Sequence, residues 1–340
     1  MKHINGGAIV AIGFAVAISV LLTAFGAYLA VDQRRVADQF RVWKFKPTAA
    51  IREQMTRDDM SPEGRFLYLA SEPRVEARRD FNQICSAVTV DTSVLGCYLQ
   101  PGKQIFLYHE TDKRLDGTEE VMGAHEMLRA AWDRMTPALH ARLLDSLQHV
   151  LDTNTDPDLD LAKRMGTVRH NDPADYNAEL YATVGAEIPS VGSVLEASYD
   201  QYFVKRSVVT KLNKHSIAYL VALRKKVQAL AGTMNTLNTT IDGEVSTFNA
   251  SVTTFESDID AFNARARRPG GFATQGQFNV ARAALVARGN ALDATATQIN
   301  AQVDTFNADL TKLKALDKTA AGLVKSLNVE LEQVPDITSV

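Results

Sequence analysis

The chain has no excess of positive charge. Its 37 Lys and Arg residues stand against 40 Asp and Glu residues, so the net charge over 340 residues is −3. A protein that is drawn to nucleic acid by the phosphates carries a surplus of basic residues. Nucleic acid is therefore excluded as a partner class.

Aromatic residues are scarce, at 7% of the chain, and they thin out sharply after Phe203. Beyond that point Tyr219 and a spaced series of phenylalanines remain. The length leaves room for about two domains of roughly 100 to 200 residues each. The change in composition places their boundary near residue 207.

Cysteine is nearly absent. The two cysteines, Cys85 and Cys97, are separated by a short segment rich in Ser, Thr and Val that can fold back on itself. An even count with a short closure indicates a disulfide if the compartment is oxidising. Two unrelated buried thiols are the alternative.

One long apolar run lies near the N-terminus. Residues 8–31 read AIVAIGFAVAISVLLTAFGAYLAV, about 24 residues without a charge, and roughly 20 suffice for a helix to cross a bilayer. A cleavable signal peptide is the alternative, but its apolar stretch is about 7 to 15 residues long. The sequence therefore predicts a single-pass transmembrane helix with the lipid bilayer as a partner.

The charges around this run favour two opposite orientations. Lys2 precedes the run, whereas a basic juxtamembrane linker, residues 32–47, follows it. The basic residues of this linker are Arg34, Arg35, Arg41, Lys44 and Lys46. Lys and Arg accumulate on the cytoplasmic side of a span, which would put the C-terminal bulk inside. The expected disulfide requires an oxidising compartment, and on that ground we expect the bulk to be extracytoplasmic, anchored at the cell membrane.

Residues 48–206 combine a strand pattern with helical periodicity. The short apolar run 104–108 follows a Pro-Gly pair, which is typical of a strand, and residues 88–95 are a second candidate. Leucines recur every four residues over 139–151, which predicts a helix. The expected fold class is α+β and mostly helical.

The motif of this domain that carries chemistry is His125-Glu126-Met127-Leu128, on a predicted helix. Two histidines four apart on a helix share a face and both ligate zinc, while a glutamate beside the first polarises water. His125 is therefore a candidate ligand and Glu126 the candidate general base of an active enzyme. Arg129 stands where the second histidine would. A bare motif of this kind also occurs on ordinary amphipathic helices.

Six segments of this domain follow one another in an order that characterises a protein family. They are SPEGRFLYLASEP (61–73), FNQIC (81–85), LGCYL (95–99), AHEMLRAAWDRM (124–135), AELYATVGAEI (178–188) and LEASYDQYFVKR (195–206). In this order they resemble bacterial membrane-anchored proteins with a zincin-like domain, whose helix normally reads AHEMLHAAYDRL. The resemblance covers roughly residues 58–206 and implies a zincin-like fold over 48–206.

The resemblance also implies a third zinc ligand, a glutamate on a later helix, within a pattern like NELHSxxGTE. Carried over, the pattern makes Glu179 the expected ligand and Glu187, eight residues on, the reserve candidate. Eight residues are a little over two turns, so both lie near one helical face. A solvated surface carboxylate is the alternative for either.

Two residues depart from the family pattern, since Arg129 replaces the second histidine and Tyr181 replaces a histidine after Glu179. A guanidinium has no lone pair for a metal, so Arg129 cannot act as a ligand. It can replace the charge of a metal by pairing with Glu126 or Glu179, which leaves a folded, metal-free relic of the site. A rearranged metal site would need another histidine, for which the candidates are His109, His140 and His170.

Residues 208–333 carry a heptad pattern in two series. The first is Met234, Ile241, Phe248, Phe255 and Phe262, with Val245, Val252 and Ile259 between them. The second is Leu285, Leu292, Ile299, Phe306 and Leu313. A Pro-Gly-Gly stretch within about 267–277 indicates a turn between the two. We expect an antiparallel coiled-coil hairpin, which also offers a surface for self-association.

Three functions fit these features. The first is a membrane-anchored pseudoenzyme, a metalloprotease-like module without cofactor that binds or scaffolds an envelope protein or peptide. The second is an active zinc metallopeptidase with an altered ligand set. The third is a purely structural envelope protein in which the coiled-coil hairpin is the working part. We expect the first.

Overall fold

The computed structural model describes residues 33–85, 95–100 and 102–327, together with Ser19 and Thr23. The predicted transmembrane helix, residues 8–31, lies outside the described residues apart from these two, which are both helical. Within the described ranges, no helix is long and apolar enough to cross a bilayer. The structure is mostly helical with a small three-stranded sheet, which confirms the predicted α+β class.

The chain divides into two compact units, with the boundary between Tyr219 and Leu220. In the first unit residues 33–44 are helical. The helices that follow are α1 (Ala49–Arg57), α2 (Pro62–Ala70), α3 (Arg78–Cys85), α4 (Thr118–Arg134), α5 (Pro137–Thr153), α6 (Leu161–Asn171), α7 (Tyr176–Glu187) and α8 (Ser193–Tyr199). The hydroxyls of Thr48 and Thr136 each accept a backbone N–H of the helix that they precede, which satisfies a donor that the helix itself leaves free.

The sheet has the strand order β1 (Arg74–Glu76), β3 (Gln104–Tyr108), β2 (Gly96–Leu99). β3 pairs in parallel with β1 and antiparallel with β2. The predicted strand at 104–108 is β3 and is confirmed. Of the second candidate, residues 88–94 lie outside the described residues, and Leu95 lies in a bend before β2.

A disulfide joins α3 to the sheet. Cys85 ends α3 and Cys97 lies in β2, with their Cα atoms 6.0 Å apart, which confirms the predicted bond. The two cysteines lie in a small apolar cluster with Phe81, Phe106 and Tyr108. The bond therefore closes a local core that is separate from the main one.

The main core of the first unit is built around the packing of α4 against α7. Gly185 of α7 permits a close approach, because a Cβ there would lie 2.5 Å from Leu128 Cδ1 and 2.6 Å from Tyr199 Cε1. A side chain at this position would push the helices apart. This packing makes neighbours of the helices that carry His125 and Glu179.

Arg206 holds the C-terminal end of α7. Its buried guanidinium donates to the backbone oxygens of Gly185 and Ile188 and pairs with Glu196 of α8. The last carbonyls of a helix have no partner within the helix, so a cation at this place stabilises the end of α7. The next residue begins the long helix α9 (Ser207–Ala266).

The second unit is formed by α9 from Leu220 onward and by α10 (Gln275–Leu327) as far as Val324. A turn over residues 267–274 separates the two helices. Contacts between them run in opposite sequence directions: Asp258 pairs with Arg288, and Glu244 accepts from Gln298. The apolar side chains buried between the helices are Met234, Ile241, Ile299, Phe306 and Leu313.

Val245 departs from the predicted heptad pattern, because it is exposed rather than buried in the seam. Its neighbour Glu244 faces α10 instead and accepts hydrogen bonds from Gln298 at 3.4 Å and Gln302 at 3.2 Å. Near Glu244, α9 and α10 are therefore joined by polar contacts rather than by an apolar side chain at position 245.

Candidate functional site

α4 carries three of the candidate site residues. Its first turn contains Glu119 and Glu120, where the helix dipole favours carboxylates. His125 and Glu126 follow in the middle of the helix and are both buried, and Arg129 lies one turn after His125. The helix therefore presents an imidazole, a carboxylate and a guanidinium within five consecutive residues.

α7 brings Glu179 to His125. The Nε2 atom of His125 lies 3.3 Å from each of the two carboxylate oxygens of Glu179. With Glu179 ionised, Nε2 donates and the carboxylate accepts. Nδ1 of the same ring is buried and has no hydrogen-bond partner among the described residues. Packing of the two helices thus joins two residues that are far apart in sequence.

Arg129 lies among three carboxylates. Its Nη1 is 3.4 Å from Glu126 Oε2 and its Nε is 3.6 Å from Glu179 Oε2, while Nη2 pairs with Asp175. The four side chains are between 3% and 23% exposed. The guanidinium therefore places a positive charge at the centre of a largely buried acidic cluster.

Glu126 is covered by the sheet. A Cβ at Gly96, the first residue of β2, would lie 2.9 Å from Glu126 Cγ and 3.0 Å from Glu126 Oε1. The strand approaches this closely because Gly96 has no side chain. Glu126 is thereby enclosed, with Arg129 as its hydrogen-bond donor.

Burial and mutual contacts shift the pKa values in this cluster. Burial raises the pKa of Glu126, and Arg129 and His125 offset part of the rise. Burial acts on Glu179 in the same direction, but His125 and Arg129 outweigh it, so the pKa of Glu179 is lowered. For His125, burial would lower the pKa, yet Glu179 outweighs it and the pKa is raised. The contact between His125 and Glu179 therefore favours the charged form of each side chain.

Glu187, the reserve ligand, lies with a different partner. Arg164 of α6 donates to its two carboxylate oxygens at 2.6 and 2.8 Å. Coulombic attraction by Glu187 raises the pKa of Arg164. Tyr181, which replaces a histidine of the family pattern, lies in the core with its hydroxyl 2.9 Å from Ser198 Oγ.

The other candidate histidines also have places of their own. Nδ1 of His109 lies 2.7 Å from Glu119. His140 stacks on Trp132 at 4.0 Å, and its Nε2 lies 2.9 Å from the backbone oxygen of that residue. His170 is exposed near the end of α6. A rearranged site with one of these histidines would require that side chain to move.

Asp175 and Arg164 also belong to these contacts, although the sequence did not predict them as site residues. Asp175 precedes Glu179 by four residues, a spacing that places two side chains on one helical face, and this was an available signal. Arg164 carries no such signal, because it lies on a separate helix and its contact with Glu187 depends on how α6 and α7 pack.

A zinc ion does not fit this arrangement of side chains. A catalytic zinc site uses three protein ligands and keeps a fourth position for water. His125 and Glu179 supply two donors, and the place of a third is taken by Arg129, whose Nε lies 3.6 Å from Glu179. Across the part of the chain that the structure describes, no group of three or more His, Cys, Asp or Glu side chains is arranged to hold a metal ion.

Comparison with models of protein families, with curated proteins and with solved structures finds no match to this chain. The family resemblance therefore depends on the six segments quoted above.

Proposed function

We propose that the chain is a single-pass, membrane-anchored extracytoplasmic protein whose zincin-like domain is a non-catalytic module that binds or scaffolds an envelope protein or peptide. The observation that carries this proposal is the position of Arg129. Its guanidinium contacts Glu126, Asp175 and Glu179, one turn after His125, where the related motif has its second histidine.

The charge of Arg129 opposes a metal ion at this place. At ~4 Å and an effective dielectric constant of ~20, two unit charges interact by about 4 kcal/mol, and a divalent cation doubles this repulsion. Arg129 also weakens Glu126 as a general base, because the carboxylate accepts a hydrogen bond from the guanidinium and the positive charge offsets part of the rise in its pKa that burial causes. Arg129 offsets part of the negative charge of Glu126, Asp175 and Glu179, the charge that would otherwise attract a cation, which favours a structural role over peptide hydrolysis.

Two further features support the location and the scaffold role. The Cys85–Cys97 disulfide is typical of oxidising compartments, and the uncharged run 8–31 is long enough to anchor the chain. α9 has 60 residues, so at about 1.5 Å per residue it reaches about 90 Å, longer than a small domain. A helix of this length suits a module that holds a partner at a distance.

The test is the metal content of the purified, detergent-solubilised full chain after equilibration with zinc. The wild-type protein and Arg164→His, a matched control at the second arginine–glutamate pair, are expected to bind no stoichiometric zinc. Arg129→His is expected to bind about one zinc ion through His125, the new imidazole and Glu179, since three ligands then converge. Glu179→Ala in the Arg129→His background should abolish that binding.

The result that contradicts the proposal is stoichiometric zinc in the wild-type protein, or cleavage of a peptide that is lost in Glu126→Gln. Either result would instead support an active metallopeptidase with an altered ligand set.

A further inference from the structure

The 33–44 helix presents an apolar face to solvent. Val36, Phe40 and Trp43 are 39%, 54% and 70% exposed, and their spacing of four and three residues puts them on one helical face. The rings of Phe40 and Trp43 meet edge to face with centroids 5.4 Å apart. Among the described residues, Tyr219 is the one other large aromatic side chain with comparable exposure. An apolar surface of this kind indicates a binding site.

The opposite face of the same helix is fixed to the first unit. Asp38 is buried and accepts a hydrogen bond of 2.7 Å from Arg134 of α4. Arg41 donates to the backbone oxygen of Gly102 at 2.7 Å. At 3.6 residues per turn, positions 38 and 41 point about half a turn away from the apolar face. The apolar face is therefore held pointing away from the folded unit.

The charge of this helix and of the residues after it is positive. Asp38 is the one acidic residue between positions 33 and 52, and it is buried against Arg134. Lys44 and Lys46 are exposed beside Trp43. Aromatic side chains on an amphipathic helix with exposed lysines are the combination that binds the headgroup region of anionic membranes.

We propose that the 33–44 helix lies in the headgroup region of an anionic bilayer, with Val36, Phe40 and Trp43 inserted, and that it seats the first unit on the membrane surface. Continuity and charge point to the bilayer as the occupant, because the predicted membrane-spanning run ends at residue 31, two residues before the first described residue of this helix, and Lys44 and Lys46 are exposed. This inference rests on the membrane anchoring of the proposed function and is independent of metal binding.

The depth of Trp43 differs between a helix that lies in the plane of the membrane surface and a helix that leaves the bilayer along its normal. The ten residue steps from residue 33 to Trp43, at about 1.5 Å each, would carry Trp43 about 15 Å along the normal and out of the headgroup region. A helix that lies in the plane of the surface keeps Trp43 at the depth of the headgroups. The depth of Trp43 is therefore the quantity to measure.

The chain contains two tryptophans, so Trp132→Phe leaves Trp43 as the one tryptophan, whose emission is excited selectively over that of the tyrosines. The full chain is reconstituted into phosphatidylglycerol vesicles with and without lipids brominated on the acyl chain. We expect brominated lipid to reduce Trp43 emission by about half, as for an interfacial side chain. Trp43→Phe, in which the buried Trp132 reports, is the matched control and should show no quenching. If Trp132→Phe does not fold, the difference between wild type and Trp43→Phe supplies the same signal.

A charge reversal tests the role of the lipid headgroups. Lys44→Glu together with Lys46→Glu should reduce the quenching of Trp43, whereas the same reversal at the exposed Lys211 and Lys214 of α9 should leave it unchanged. Flotation of the vesicles in high salt reports separately on anchoring. A chain that floats with its vesicles while Trp43 is unquenched overturns this inference alone. A chain that does not float overturns the anchoring as well.

Discussion

Replacing Arg129 by methionine removes the charge at the centre of the candidate site and keeps most of its volume. Glu126 then loses its hydrogen-bond donor, and Asp175 and Glu179 lose an ion-pair partner. Glu126 matters most, because its side chain is 3% exposed and water cannot replace the guanidinium. Removing one partner of a buried ion pair typically costs about 3 to 5 kcal/mol.

Protonation of Glu126 in the Arg129→Met protein sets an upper bound on the free energy of unfolding that is lost through this carboxylate. The ordinary pKa of a glutamate is 4.5, so taking up a proton at pH 7 costs about 3.4 kcal/mol, at 1.36 kcal/mol for each pH unit. An unpaired Glu126 is protonated once its charged form costs more than this. We therefore expect Arg129→Met to lower the free energy of unfolding at pH 7 by about 3 kcal/mol.

The loss should shrink in acid. Burial already raises the pKa of Glu126 in the folded chain, and without Arg129 it rises further, which destabilises the fold only above the unfolded-state pKa. Arg129 also contributes to the lowered pKa of Glu179, but that contribution to stability is fully present above the ordinary pKa and is lost only as the pH falls below it toward the lowered pKa of the folded chain. Between pH 7 and about pH 4.5 the Glu126 effect alone therefore reduces the difference between wild type and Arg129→Met.

Urea unfolding of the detergent-solubilised chain measures this loss, with Trp132 as the local probe in a Trp43→Phe background. Arg35→Met is the control, because the Arg35–Glu63 side chains are 48% and 36% exposed and such pairs contribute at most about 1 kcal/mol. The reasoning is refuted if Arg129→Met loses no more stability than Arg35→Met, or if its loss is the same at pH 7 and pH 4.5.

Two further changes test the packing of the first unit. Gly185→Ala should lower the free energy of unfolding by about 1 to 3 kcal/mol through overpacking. Gly166→Ala is the control and should be neutral or slightly stabilising, because its Cβ meets nothing within 4 Å. Equal urea midpoints for the two variants would contradict this prediction. Replacing both Cys85 and Cys97 by serine should lower the free energy of unfolding by about 3 kcal/mol. The unreduced wild-type protein should show no free thiols, and labelling of both its cysteines would show that no bond forms.

Elements marked by a repeating pattern or by a continuous apolar run could be predicted from the sequence, and the shortest strands could not. Leucines every four residues over 139–151 predict α5, and the apolar run 104–108 predicts β3. β1 has three residues and β2 four, too few for an alternating pattern to stand out. Val245 shows the limit within a heptad pattern, because the choice between neighbouring positions depends on which polar side chains the partner helix presents.

The candidate site shows the same limit. The contact of Arg129 with Glu126 follows from their spacing of three residues on one helix. The contacts with Asp175 and Glu179 depend on the packing of α4 against α7, which no local pattern specifies. A close approach such as that at Gly185 becomes visible only when both helices are in place.

Arg206 has a consequence for how mechanical load enters the domain. It is the residue directly before α9, and its side chain donates hydrogen bonds to the carbonyls at the C-terminal end of α7, the helix that carries Glu179. Val209 and Leu212, in the first turns of α9, pack in the core of the first unit, so tension along α9 meets these apolar contacts before it reaches Arg206. The hydrogen bonds at the end of α7 are therefore loaded only after the core contacts of α9 give way.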